Sequence, residues 1–148
     1  MNTGNNNKLS KYYLGGHSDS NLDAETIYLA ERGKTTSSGN ALYWDGKIGL
    51  MYPSDCGYAS GNYCVTHALL PHYMESNCDN WISLSNSSEW TMTPIIDSVT
   101  SVYTVSPEGV LWTDVNMRLN FRPVFYLSSD VSITSGTGTS SDPYLVSK

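Results

Sequence analysis

Residues 90–127, WTMTPIIDSVTSVYTVSPEGVLWTDVNMRLNFRPVFYL, are the stretch on which the reading of this chain turns. It opens on a Trp with polar neighbours and closes on an apolar run at 121–127. Between them Ile95, Ile96, Val99, Leu111, Trp112, Val115, Met117 and Leu119 are strewn through turn chemistry, at Thr93-Pro94 and again at Ser106-Pro107-Glu108-Gly109. So many large apolar side chains beside turns are either core or a contact surface. Residues 102–105 read as a strand turned back by Ser106 to Gly109. Over 115–121 Val115, Met117, Leu119 and Phe121 alternate with Asn116, Arg118 and Asn120, a period that predicts a half-buried strand with one parity inward. Residues 121–127 are more uniformly apolar, which predicts burial on both faces, with Pro123 at an edge or bulge. Past a turn-rich tail at 135–141, residues 143–146 read as a final edge strand.

Working back from that stretch, KYYL at 11–14 is a short strand candidate ended by Gly15-Gly16. The clearest helix follows, with Ser20 as cap, Asp23 in an acidic first turn and Gly33 as its stop. Leu22, Thr26, Leu29 and Ala30 would share one face, with Ile27 beside them. Residues 34–40 are a polar loop. ALYWDGKIGLMY at 41–52 reads as two strand pieces around an Asp45-Gly46 hairpin, with Ile48, Leu50 and Tyr52 alternating against Lys47, Gly49 and Met51. Residues 54–63 look like a Gly-rich loop, and 64–70 like a second short helix stopped before Pro71. The polar segment 72–89 offers Trp81, Ile82 and Leu84 as core anchors. Two early helices and many later short strands imply an α+β domain with a mainly antiparallel sheet.

The length of 148 residues predicts one domain, at 11–148, behind ten residues that read as a linker or the start of a trimmed chain. Only 15% of residues are charged, and Tyr, Ser, Asn, Thr and Gly fill the gap, as on neutral, loop-rich domains that work outside the cell. A net charge of −6 with no clustered Lys or Arg excludes nucleic acid as a partner. No apolar run approaches the roughly 18 residues of a membrane span, and no signal peptide is visible. Cys56, Cys64 and Cys78 form no zinc motif. Cys64 and Cys78 stand 14 apart and, oxidised, would close a loop worth about 3 kcal/mol, leaving Cys56 over. Three reduced thiols are the alternative.

Little in the chain points to catalysis or a cofactor. His67 and His72 flank Pro71 and lack the spacing of a helical metal pair. There is no G-x-S-x-G elbow, no phosphate-cradling Gly motif, and no base paired with Cys56. Asp55 and Asp79 with nearby Asn side chains could take calcium, but ordinary loop carboxylates are the favoured reading. The expectation is therefore no enzyme, no cofactor and no metal. Tyr and Trp mixed with Ser, Asn and Gly is instead the composition of binding loops.

YYLGG at 12–16, ERG at 31–33, GKIGLMYPSD at 46–55, GYA at 57–59, EWTMTP at 89–94 and FRPVFYLSSDVSITSGTGTSSDPYLV at 121–146 together resemble a group of bacterial surface domains, often found behind a type IV prepilin-like helix. The ending and the preceding W-T-x-T-P are similar to the C-terminal part of C-type-lectin-fold domains, including variable proteins of diversity-generating retroelements. The resemblance implies two helices and a twisted antiparallel sheet with long loops, on the cell surface or a pilus. In such relatives a segment ahead of the last strands is diversified and forms a ligand-binding face. Carried over, that face would comprise Ile95, Ile96, Asp97, Val99, Leu111, Trp112, Thr113, Asp114, Val115, Met117, Arg118 and Leu119, at places that often read Asn or Ser. Val102, Val105 and Val110 match the scaffold instead, and Cys56 stands where relatives commonly carry Tyr. A hydrophobic display implies a protein ligand rather than a glycan. The alternative is a minor pilin-like subunit whose apolar face packs on its neighbours. An enzyme of the sulfatase-modifying branch ranks last, because no equivalent of its cysteine pair is present in the C-terminal part.

Overall fold

The turn chemistry at Ser106 to Gly109 joins two strands, β5 (Ser101–Ser106) and β6 (Gly109–Asp114), which pair antiparallel from Ser101 opposite Asp114 to Ser106 opposite Gly109. Gly109 has φ +142°, and a Cβ there would stand 2.2 Å from the Pro71 carbonyl oxygen, so glycine is required twice over. The computed structural model describes residues 9–19, 21–33, 41–82, 87–137 and 141–148. Within them β4 (Glu89–Pro94) pairs antiparallel with β5, and β7 (Asn120–Phe121) runs parallel to the start of β4, giving the order β6-β5-β4-β7. Three two-stranded antiparallel sheets join β1 (Ser10–Tyr13) to β2 (Tyr43–Gly46), β3 (Gly49–Leu50) to β8 (Pro123–Val124), and β9 (Ser132–Ser135) to β10 (Leu145–Ser147). Three α-helices complete the described residues: α1 (Ala24–Arg32), α2 (Pro53–Tyr58) and α3 (Asn62–His67). The fold is α+β with mostly antiparallel sheets, no closed barrel among the described residues, and one helix more than the sequence suggested.

The core lies between the helices and one face of the four-stranded sheet. Ala24 and Ile27 of α1, Cys56 of α2, and Leu70 and Tyr73 beyond α3 form one cluster with Tyr103, Val105 and Val110. Helix α1 starts at Asp23, whose carboxylate accepts the Thr26 N–H at 2.7 Å; the expected cap Ser20 lies outside the described residues. Its buried positions are Ala24, Ile27 and Glu31, while Thr26 and Leu29 face water and Leu22 is buried ahead of the helix. The inward face is set by close approach to α2, where a Cβ on Gly57 would stand 2.7 Å from the Ala24 Cβ. The glycines of 54–63 carry a loop signal, but Gly57 is a helix-packing residue. Pro53 opens α2 at a position where its missing N–H costs nothing, and the Asp55 carboxylate accepts the Tyr52 N–H at 2.8 Å.

Long-range burial overrides the other local signals. No Asp45-Gly46 hairpin forms, because β2 takes β1 as its partner and β3 takes β8. Fully buried Tyr12 holds that arrangement, its hydroxyl donating to the carbonyls of Lys47 (3.3 Å) and Val124 (3.2 Å). Met51 and Tyr52 go inward while Ile48 is exposed, against the alternation. Residues 115–119 are no strand either. β6 and β7 lie on opposite edges of the sheet, so the chain must traverse three inter-strand spacings, roughly 14 Å, between Asp114 and Asn120. A backbone crossing the strands cannot join their ladder, whatever its side-chain period. Phe121, Phe125, Tyr126 and Leu127 are exposed rather than buried on both faces: Phe121 ends the edge strand β7, Pro123–Val124 pairs only with the two-residue β3, and residues 125–127 lie outside the strands. Of the expected anchors in 72–89, Ile82 is buried and Trp81 exposed; Leu84, like the polar loop 34–40 and residues 1–8, lies outside the described residues.

Candidate functional site

The end of the β5–β6 ladder remote from its turn brings the two predicted binding segments together. Ser101 faces Asp114 there, and the turns on either side are joined where the Val115 N–H donates to the Thr100 carbonyl at 2.8 Å. The first turn closes on itself through Ser98 N–H to Ile95 O (3.1 Å) and Thr100 N–H to Ser98 Oγ (3.2 Å). The second closes through Met117 N–H to Asp114 O (3.1 Å). Main-chain N–H donors thus fix both turns, with Ser98 Oγ among the acceptors, and Val99, Val115 and Met117 are left to the solvent.

Val99 is 93% exposed, Trp112 62%, Met117 54% and Val115 51%. Asp97, Asp114 and Arg118 are exposed among them, and Leu111 stands on the opposite sheet face, at the margin of exposure. Trp112 pairs with Tyr103 across the ladder, yet Tyr103 is wholly buried and Trp112 is not. The Tyr103 hydroxyl reaches back to the carbonyls of His17 (3.2 Å) and Asp19, tying the segment before α1 beneath this end of the sheet.

Ile95 does not belong to the display. It is 8% exposed, sits in the core cluster, and bridges to His17 while its N–H donates to Ser101 O at 3.2 Å. Ile96, Thr113 and Leu119 are half-buried, Ile96 held by His17 O (3.3 Å) and Thr113 by the Thr104 hydroxyl (3.1 Å). The surface that remains is Val99, Trp112, Val115 and Met117 with three charged neighbours; Leu111, on the other face of the sheet, stands apart from it. Comparison with family models, curated proteins and solved structures finds no match.

Away from the display, several titratable groups have partners of their own. Cys64 of α3 is bonded to Cys78, and Cys56 is a buried free thiol that burial pushes up to about 12. Its depth and basicity suit packing rather than nucleophilic attack. Among the described residues no group of three or more His, Cys, Asp or Glu side chains is placed to hold a metal. His72 Nδ1 lies 2.8 Å from Glu75, and His67 stacks on Tyr63 with centroids 4.5 Å apart. Asp55 caps α2 and Asp79 is exposed, in a left-handed backbone conformation. The sequence carries no direct signal for a cleft where α2 meets Trp81, Ile82 and Arg122. Its signal was available only once PSDCGY is read as helix, when Asp55, Tyr58 and Ala59 fall at i, i+3 and i+4 on one face.

Proposed function

We propose that this chain is a C-type-lectin-like binding module that works at a cell surface or on a pilus and presents Val99, Trp112, Val115 and Met117 to a protein partner. One observation carries the reading: the two turns are pinned by backbone bonds while four large apolar side chains beside them are more than half exposed. Exposed apolar groups gathered on fixed backbone mark interaction sites, and loops on a rigid sheet carry binding in many folds. Asp97, Asp114 and Arg118 form a charged rim of the kind that tunes specificity more than affinity. A variable protein would carry its changeable residues here, because substitution would leave the Tyr103–Val105–Val110 core untouched. Sequencing the surrounding locus tests that part. A reverse transcriptase gene and a near-duplicate of the coding segment differing only at adenines are expected; a locus without them removes the diversification reading.

A pilin-like structural role is favoured by a different observation. The β9–β10 ribbon exposes Ile133, Leu145 and Val146, and a lone two-stranded ribbon is marginal in water, which argues for a neighbour packed against it. Light scattering over a wide concentration range separates the two: a persistent monomer supports the binding module, and reversible association supports the subunit.

A further inference from the structure

Some distance from the display, near the start of β4, α2 and the segment at 81–82 enclose a cleft of about 340 Å³. Buried Met51 and Ile82 contribute its apolar lining, while Tyr58 and Trp81, the latter 74% exposed, present their rings at its margin. The cleft is built on fixed parts. The Trp81 N–H donates to Ala59 O (3.2 Å) and the Ile82 N–H to Asn80 Oδ1 (3.0 Å), and the Asn80 amide in turn donates to the Cys56 carbonyl (2.8 Å).

Two ionisable groups line it, Asp55 and Arg122. Arg122 is answered by Glu89 through a two-point pair, Nε to Oε2 and Nη2 to Oε1, both 3.1 Å. Asp55 has one oxygen on the Tyr52 N–H, and burial holds its carboxyl above the usual range. Arg32, the cation that opposes this shift, is itself bonded to Glu31. The cleft's charge is therefore the Asp55 carboxylate, set among aromatic faces and apolar walls. A desolvated carboxylate gains from a cation, and ring faces of Trp and Tyr attract ammonium groups over the same range.

We propose that this cleft binds an alkylammonium group, as on a lysine side chain of a partner protein, with Asp55 taking the charge and Tyr58 and Trp81 the aliphatic stem. The site does not rest on the display surface at the other end of β4. Its test is a titration of the ¹⁵N-labelled chain with Nα-acetyl-lysine amide, Nα-acetyl-norleucine amide and Nα-acetyl-glutamate amide, read at the Trp81 indole N–H. The lysine compound should give a saturable shift at least tenfold tighter than the norleucine compound. Asp55→Asn, which keeps an acceptor for the Tyr52 N–H, should erase that preference. Trp81→Ala, at an exposed position that the fold does not need, should weaken lysine binding, read at Tyr58, tenfold or more. Equal response to norleucine would reduce the site to an apolar crevice, and preference for glutamate would make Arg122 its charge. Either result, an unchanged Asp55→Asn variant, or no saturable shift with any compound overturns the proposal.

Discussion

Glu31 is fully buried, yet its carboxyl has three partners: the Ser54 N–H at 3.0 Å, the Ser54 hydroxyl at 2.5 Å and the Arg32 guanidinium. Arg32 in turn lies over the rings of Tyr28 and Tyr52, each 4.2 Å from the centroid, so one carboxyl links α1 to α2. Burial raises the Glu31 carboxyl from 4.5 to about 7, against the pull of Ser54 and Arg32. The folded chain then holds this proton more tightly than the unfolded chain does. Its contribution is fully present below the ordinary value of 4.5 and is lost as pH rises through about 7. Urea unfolding between pH 4.5 and 8 should show that decline, and Glu31→Gln should flatten it. At the paired positions Trp112 and Tyr103 the contrast is one of size. Trp112→Ser should change stability by less than about 0.5 kcal/mol, as exposed substitutions do. Tyr103→Ala should cost about 3–5 kcal/mol, since it empties a filled core site and removes the tie to His17.

Helix α2 shows at the scale of elements what a single sequence conceals. Its glycine and its proline are both loop signals, and both are used for helix: Pro53 at the start, Gly57 where α1 comes closest. Gly57→Val should therefore drive the helices apart at a cost of about 1–3 kcal/mol, seen in thermal melting. The bond between Cys64 of α3 and Cys78 closes a separation of 14 residues, so replacing both by Ala should cost about 3 kcal/mol. The β5–β6 hairpin was legible because its turn residues and its strand pattern agree. The partners of β2 and β3 were not, because Tyr12 decides them from more than thirty positions away. The candidate site was legible as a segment but not residue by residue. The strict alternation over 115–121 suggested one inward parity, whereas the path across the sheet leaves Val115 and Met117 outside and only Leu119 half-covered. Ile95, next to the same turn, is drawn inward by its bridge to His17.

At the scale of the whole molecule the two proposed binding surfaces differ in character. The far end of the β5–β6 ladder exposes apolar side chains beside charged ones, while the cleft on α2 is concave and carries the Asp55 carboxylate. Only 15% of residues are charged, while Tyr, Ser and Asn are plentiful, a composition that suits short-range contact, and the net charge of −6 favours cationic over anionic partners. The Val99–Trp112–Val115–Met117 group governs whether the fold is a display scaffold at all. The measurement that bears on it is urea unfolding of a chain carrying Val99→Ser, Trp112→Ser, Val115→Asn and Met117→Ser together. Stability within about 2 kcal/mol of the parent, with the monomer intact, is the predicted result. A loss of about 2–5 kcal/mol at each of several sites would mean that these side chains fill the protein's own interior, and the binding face would not exist.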